Sequence, residues 1–454
     1  MFLLAHKTCS RPRWNVSVLA RYDAKFRPIK PVDPVRSNVL STRRLSKSSD
    51  MVPKVYFREI FWTSKVHSVL WKNKIRPQPM FEILQVVQNF EREGKDVVHL
   101  EIGDTTGFTN DSLKSHISNA SIDIPYSYSP SAGELELRTI AAKLFSEDLN
   151  VEVTVHQVGV APANAIIIES LASVTSEADV VLIPDPGFPT YELAAIFLGL
   201  NVVRYGVFEN GVPNIEHIST IKEKLRGRKP AALVINNPSN PLGHVFPWSE
   251  FADLMDFALN SDSTIILDET YLHLTFGAAT VGPFISDSPR LIRLRSLSKE
   301  HAAPGLRIGY YMASPENVLT MSNFSSMVFS CLPSFIQVGA ARYLSSPESK
   351  QFTKNINNEL RQRFDQFNEI SNQFGFPQKY LPNSGFYGFI GVHEGDQVFK
   401  FLLEEFGVAV CPGSAFGSRG GDAIRVSLAG DKDDVNTGLI RVMNGIQSMK
   451  KGLI

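Results

Sequence analysis

The sequence predicts an α/β protein: a large domain with a mostly parallel sheet covered by helices, plus a smaller α+β domain. Three observations carry this. Apolar runs alternate with helical stretches through the middle of the chain, the βα rhythm of a parallel sheet. The runs "ADVVLIP", "NVVRYGV", "AALVINN", "STIILDE" and "RLIRLRSL" are nearly continuous in apolar residues, as expected of strands covered on both faces. Beyond residue 315 the texture changes to a long polar helix and two separated strands, which reads as α+β.

In chain order, a helix is expected over "MFEILQVVQNFEREG", from about residue 78, followed by the strand "VVHLEIG", which ends at Gly103. The segment "YSYSPSAGELELRTIAAKLF" reads as a turn feeding a helix from about Leu135. The five strands named above then follow in alternation with helices. The stretch "RLRSLSKEHAAPGLRIGY", residues 293 to 310, is expected to be a strand, an abrupt turn carrying Ser296, Ser298 and Lys299, and a second strand opening at Arg307. A polar helix near 350 to 374, the strand "GFYGFIGV", a helix and the strand "AIRVSLAG" complete the chain. No internal repeat stands out at a fixed period.

With 454 residues, 43% hydrophobic and 20% charged, the chain has room for a sizeable core in one large and one small domain. Formal net charge is zero, so composition supplies no pull toward nucleic acid or an anionic membrane, and the expected partner is a small molecule. The three cysteines, Cys9, Cys331 and Cys411, form no CxxC pair, which argues against a disulfide framework or a zinc-thiolate site and fits a reducing compartment; no metal is expected. The longest uncharged stretch, Asn317 to Ala341, is interrupted by Asn323, Pro333, Gln337 and many serines, and reads as a buried helix-rich segment rather than a membrane span.

Residues 1–50 stand apart. They carry seven arginines and four lysines against Asp23, Asp33 and Asp50, with scattered serines and no strong periodicity. This is the composition of an organelle transit peptide, and equally of a disordered basic tail with Met51 as a second start site. The first reading places the protein in a mitochondrion or another organelle, the second in the cytoplasm.

In open α/β sheets function collects just past the strand ends. Here "AALVINN" delivers "NPSNPLG", "STIILDE" delivers "TYLH", and "RLIRLRSL" delivers "SKE". Ser296, Ser298 and Arg307 offer two hydroxyls and a guanidinium fork suited to a phosphate, and the amine of Lys299 can form a Schiff base with a carbonyl, so together they match a phosphorylated aldehyde. Pyridoxal 5'-phosphate is such a molecule, and its ring nitrogen demands a carboxylate, for which Asp268 is placed. Asn240 and Tyr271 are candidates for hydrogen bonds to a phenolic oxygen on the ring. Taken singly, each has an ordinary alternative: a surface lysine, a turn-capping aspartate, an Asn-Pro turn, a packed tyrosine.

The ordered set decides between them. "YSYSPSAGELELR", "PDPGFPTY", "NNPSNPLG", "LDETY", "SLSKEHAAPGLRIGY", "GVAVCPGSAFG" and "IRVSLA", over roughly residues 78 to 448, resemble the class I/II aminotransferases, fold type I pyridoxal-phosphate enzymes. The resemblance implies that Lys299 holds the cofactor as a Schiff base and shuttles the proton. It implies that Asp268 pairs with the pyridinium, that Asn240 and Tyr271 contact the ring oxygen, and that Ser296 and Arg307 hold the phosphate with Ser298 nearby. Phe188 falls where the family stacks an aromatic ring on the cofactor, Arg425 where an arginine clamps the substrate α-carboxylate, and Gly103 where a glycine backbone approaches that carboxylate. Tyr128 matches a tyrosine that reaches the phosphate bound by the neighbouring subunit, which implies a homodimer with shared active sites.

Several positions depart from the family pattern. In "VAPANAIII", Ala163 stands where a glycine is usual, with Asn164 beside it, so backbone donation to phosphate is retained while a hydroxyl contact is in doubt. Leu242 and "GDTTGF" are also off-pattern. The implied organisation is a targeting segment 1–50, an N-terminal arm 51–110 contributing to the small domain, a cofactor-binding domain 111–340 and a C-terminal small domain 341–454. The implied reaction moves the α-amino group of an amino acid to a 2-oxo acid. A pyridoxal-phosphate lyase or cyclopropane-forming synthase on the same scaffold, and a catalytically inactive interaction protein, are the alternatives. No second arginine is assignable to a dicarboxylate side chain, and aromatic residues near the pocket lean the substrate toward neutral or aromatic amino acids.

Overall fold

The computed structural model describes residues 75–276, 290–376 and 378–450, all within the contact unit Ser68–Ile454. The targeting segment expected over residues 1–50, with Cys9, and residues 51–74 of the arm expected over 51–110 lie outside the described residues.

The strands are β1 (Val98–His99), β2 (Val158–Ala161), β3 (Val180–Asp185), β4 (Asn201–Gly206), the short hairpin β5 (Phe208–Glu209) and β6 (Val212–Pro213), β7 (Pro230–Asn236), β8 (Thr264–Asp268), β9 (Leu291–Ser296), β10 (Gly309–Met312), β11 (Tyr387–Gly391), β12 (Val408–Ala409), β13 (Cys411–Pro412) and β14 (Ala423–Ser427). Seven of them form one sheet in the order β2, β10, β9, β8, β7, β3, β4. Only β10 runs antiparallel, to both of its neighbours. The predicted α/β class is therefore the observed one.

The continuous apolar runs have a direct cause. Alternate side chains of one strand point to opposite faces. Leu182, Leu233, Ile235, Ile265 and Leu267 enter one core, packed with the helices Ile218–Leu225 and Ala252–Asn260. Val181, Ile183, Val234, Ile266 and Ile292 enter another, with the helices Ala163–Val174 and Thr190–Leu198. With both faces covered, neither tolerates a polar alternation.

A separate three-stranded sheet, β11, β14 and β13, is antiparallel, with Phe389 opposite Arg425 and Arg425 opposite Cys411. The polar helix expected near 350 to 374 spans Pro347–Gln373.

Three local expectations are corrected. "VVHLEIG" contributes only the two residues of β1, paired in parallel with β12, because the backbone beyond it is drawn into side-chain contacts. The turn after β9 is a four-residue helix, Leu297–Glu300, for which the Ser296 hydroxyl accepts the Ser298 N–H at 3.1 Å as an N-cap. The second strand opens at Gly309, not at Arg307, which sits at φ 57° after the turn Pro304–Leu306. The uncharged stretch forms two helices, Pro315–Phe329 and Ser334–Leu344; the second is largely buried, but Leu319, Met327 and Val328 of the first are exposed. Among the described residues no helix is long and apolar enough to cross a membrane.

Candidate active site

β7, β8 and β9 lie side by side in parallel, with Asn236 opposite Asp268 and Asp268 opposite Leu294, so their carboxyl ends open on one edge of the sheet. A cavity of about 670 Å³ occupies that edge. Gly103, Ala163, Asn164, Phe188, Asn240, Asp268, Tyr271, Ser296, Ser298, Lys299 and Arg307 all line it. Two expected residues stand apart: Tyr128 is 89% exposed and outside the cavity, and Arg425 is fully buried just behind the lining.

Asp268 ends β8 and is only 5% exposed. One carboxylate oxygen accepts the Tyr191 hydroxyl at 2.6 Å; the other accepts the Thr270 hydroxyl at 2.6 Å and the Thr270 N–H at 3.0 Å. No ion pair to it exists among the described residues, and burial pushes its pKa up. A buried acid surrounded by neutral donors calls for a cation from a ligand.

Lys299 projects from the four-residue helix, and its Nζ donates to the Gly103 carbonyl at 2.6 Å. Gly103 itself has no room for a side chain: an added Cβ would meet the Tyr387 hydroxyl at 1.8 Å. Tyr271 and Tyr387 share a hydroxyl contact of 3.1 Å, and burial keeps Tyr271 neutral by raising its pKa well above the usual phenol range.

Also lining the cavity, the Ser296 hydroxyl donates to Ser298 Oγ at 2.9 Å, and the exposed Arg307 donates to Pro304 O at 2.7 Å, with no acid within ion-pair reach among the described residues. Ala163 and Asn164, which line the cavity, open the helix Ala163–Val174, whose N-terminus has no side-chain cap among the described residues, leaving its first N–H groups available to a ligand. Phe188, half-buried, meets Tyr191 edge to face at 5.8 Å.

Arg425, on β14, donates to Glu101 O at 2.7 Å and to Asn240 Oδ1 at 3.0 Å, and lies 4.1 Å above the Tyr387 ring and 4.6 Å above Phe416. Its Nε is buried with no hydrogen-bond partner among the described residues. Asn240 is held in turn by its N–H, which donates to Asn236 Oδ1 at 2.8 Å.

These groups fit pyridoxal 5'-phosphate: an amine for the aldehyde, a cationless buried acid for the ring nitrogen, and hydroxyls, a guanidinium and open helix amides for the phosphate. Sequence reasoning missed Tyr191, Thr270, Asn236 and Tyr387. Tyr191 and Thr270 lie inside the quoted "PGFPTY" and "LDETY" motifs, three residues after Phe188 and two after Asp268; either offset could have flagged them.

The sequence profile described as "Aminotransferase class I and II" matches residues 95–442. A "Probable aspartate/prephenate aminotransferase" of Aquifex aeolicus is 30% identical over 84% of this chain and 96% of its own. An "Aromatic-amino-acid aminotransferase 2" of Thermococcus litoralis is 28% identical over 78% of this chain and 92% of its own. The solved aromatic aminotransferase of Pyrococcus horikoshii superposes with a TM-score of 0.73 at 26% identity, covering 83% of this chain and all of that one.

Proposed function

Because the chain belongs to the class I and II aminotransferases, we propose that Lys299 is the residue that carries its cofactor and moves the substrate proton. The enzyme transfers an amino group between an amino acid and a 2-oxo acid and uses pyridoxal 5'-phosphate. When bound, that group supplies an aldehyde for a lysine amine and a ring that accepts the electron pair left on deprotonation of the substrate Cα.

The chain's own residues take the remaining roles. Asp268, fixed by Tyr191 and Thr270, keeps a proton on the ring nitrogen. Tyr271 and Asn240 would hydrogen-bond the ring oxygen, and Phe188 would pack on the ring. Ser296, Ser298, Arg307 and the amides opening with Ala163 and Asn164 hold the phosphate. Arg425, aligned by Asn240 and Glu101, receives the substrate carboxylate beside Gly103. With the cofactor bound, the Lys299 amine would remove the Cα proton and hold it for return.

The single observation that carries this reading is the shared cavity of Lys299 and the cationless Asp268. Borohydride reduction of the yellow holoenzyme followed by peptide mass spectrometry should place the adduct on Lys299. An adduct on another lysine defeats the assignment. Conversion of the bound vitamer to its amine form by an amino acid, without release of ammonia, separates amino transfer from elimination.

For the donor side chain, Met80, Phe81, Leu84 and Ile102 give the cavity an apolar wall, and the exposed Asp104 repels a second carboxylate. This supports amino acids with neutral or aromatic side chains. Tyr128, with exposed Ile122, Tyr126 and Leu135 near it in sequence, supports a homodimer in which Tyr128 serves the neighbouring subunit's phosphate. Sedimentation of the holoenzyme at twice the chain mass, and weaker cofactor retention by Tyr128→Phe, test it. The basic composition of residues 1–50 supports an organelle address, tested by import of a fluorescent fusion.

A further inference from the structure

Three residues that line the cavity each have a buried ionic neighbour one position away in the chain. Glu269 follows Asp268, Arg295 precedes Ser296, and Glu300 follows Lys299. Successive strand side chains point to opposite faces, so Glu269 and Arg295 lie on the reverse of the wall that faces the cavity. There they join a single network.

Glu269 bridges Arg293 and Arg295, the latter at 3.2 Å; Arg295 pairs with Asp148 at 2.5 Å; His273 Nε2 lies 3.4 Å from Asp148 and its Nδ1 3.0 Å from Glu300. Both ring nitrogens of His273 face carboxylates, so both donate and the ring is an imidazolium. The charge of Glu300 raises its pKa to about 10. The second oxygen of Glu300 accepts the His273 N–H at 2.9 Å, so both oxygens of one buried carboxylate are held by one residue.

Burying Glu269, Glu300, Arg293 and Arg295 carries a large desolvation penalty, while Asp148 and His273 keep partial contact with solvent, and apolar side chains of similar volume would often stabilise the wall as well. What ions add is direction. The helix Leu297–Glu300 is four residues long, too short to be stable by itself, so the placement of Lys299 depends on what grips its two ends. Ser296 caps the first end. Glu300 grips the second and ties it to His273, two residues beyond Tyr271.

We propose that Glu300 and His273 are positioning residues for proton transfer: their clamp fixes the helix that carries Lys299 to the loop that carries Tyr271, and so sets the reach of the Lys299 amine. The inference rests on Lys299 as the cofactor-bearing lysine, and the control Lys299→Ala separates the two. If that variant still traps the vitamer with borohydride, the assignment of Lys299 fails. If it does not, the clamp is judged on its own variants.

The variants are Glu300→Ala, Glu300→Gln and His273→Gln, studied as holoenzymes. Expected for Glu300→Ala is a fall in kcat of roughly 10- to 100-fold per bound cofactor, with KM for the amino donor nearly unchanged. The isotope effect with an α-deuterated donor should rise, and the absorbance titration of the bound cofactor should move its midpoint by about one pH unit. Glu300→Gln, which still accepts the His273 N–H, should recover part of both signals. Should Glu300→Ala fail to load, Glu300→Gln and His273→Gln decide. A lower melting temperature with an unmoved titration midpoint and unchanged kcat per bound cofactor in these variants would overturn the proposal and leave the network a purely structural one.

Discussion

The Lys299 amine and the Arg425 guanidinium grip backbone carbonyls two residues apart, Gly103 O at 2.6 Å and Glu101 O at 2.7 Å. One short loop after β1 therefore registers Lys299 against Arg425, the two groups proposed to move the proton and to hold the carboxylate. Gly103→Ala should break that register, because its Cβ would have to displace the Tyr387 hydroxyl. We expect kcat/KM to fall about 10- to 100-fold with the fold intact by circular dichroism; unchanged kinetics would show that the loop does not set the geometry.

Asp268→Asn keeps the shape and removes the charge. The variant should bind the vitamer yet lose roughly 10²- to 10³-fold in kcat, measured by stopped-flow absorbance of the first half-reaction. Tyr191→Phe deletes one donor to the same carboxylate and should lose about tenfold, the equivalent of one hydrogen bond to a charged group. Equal effects of the two changes would contradict separate roles for charge and orientation.

Arg425→Lys replaces a fork that reaches two fixed acceptors with a point charge. KM for the amino donor should rise about 10- to 100-fold, with cofactor content unchanged by absorbance. A variant with normal KM would move the carboxylate site elsewhere.

The apolar wall at Phe81 and Leu84 should make phenylalanine or leucine a better donor than aspartate. Asp104→Arg should narrow or invert that ratio of kcat/KM values, since it exchanges a repelling charge for an attracting one. Aspartate preferred by the parent enzyme would exclude the neutral-donor reading.

Glu169, fully buried on the helix Ala163–Val174, accepts the Ser325 hydroxyl and no other donor among the described residues, and burial raises its carboxyl to about 7. The sign follows. Below the ordinary carboxylate range both folded and unfolded chains hold the proton and the group is neutral to stability. Between that range and pH 7 only the unfolded chain releases it, so stability drops as pH rises, by about 3 kcal/mol in all. Glu169→Gln should therefore raise the urea midpoint at pH 8 and leave it unmoved at pH 4. A gain of equal size at both values would point to packing instead.

Much of the sheet was legible because its strands are buried on both faces, which writes unbroken apolar runs such as "STIILDE" into the sequence. The strand-end residues Asp268, Ser296 and Lys299 were legible for the same reason, since the ends of such runs are where polar groups gather. The resemblance singled out Arg425, but not its contact with Asn240, because a contact across 185 positions leaves no local trace. Tyr191 hid in a packed helix, where a tyrosine whose ring is buried looks like any other core aromatic until its hydroxyl partner is known. The one-turn helix bearing Lys299 was misread as a bare turn because four residues hold too little periodicity to register.

The parallel pairing of β1 with β12 joins backbone segments some three hundred positions apart, Val98 to Val408 and His99 to Ala409. A ribosome delivers the first of these long before the second. Until residues 408 and 409 have emerged, the loop that contacts both Lys299 and Arg425 has no strand to rest on, so a nascent chain can complete its seven-stranded sheet before that loop is supported.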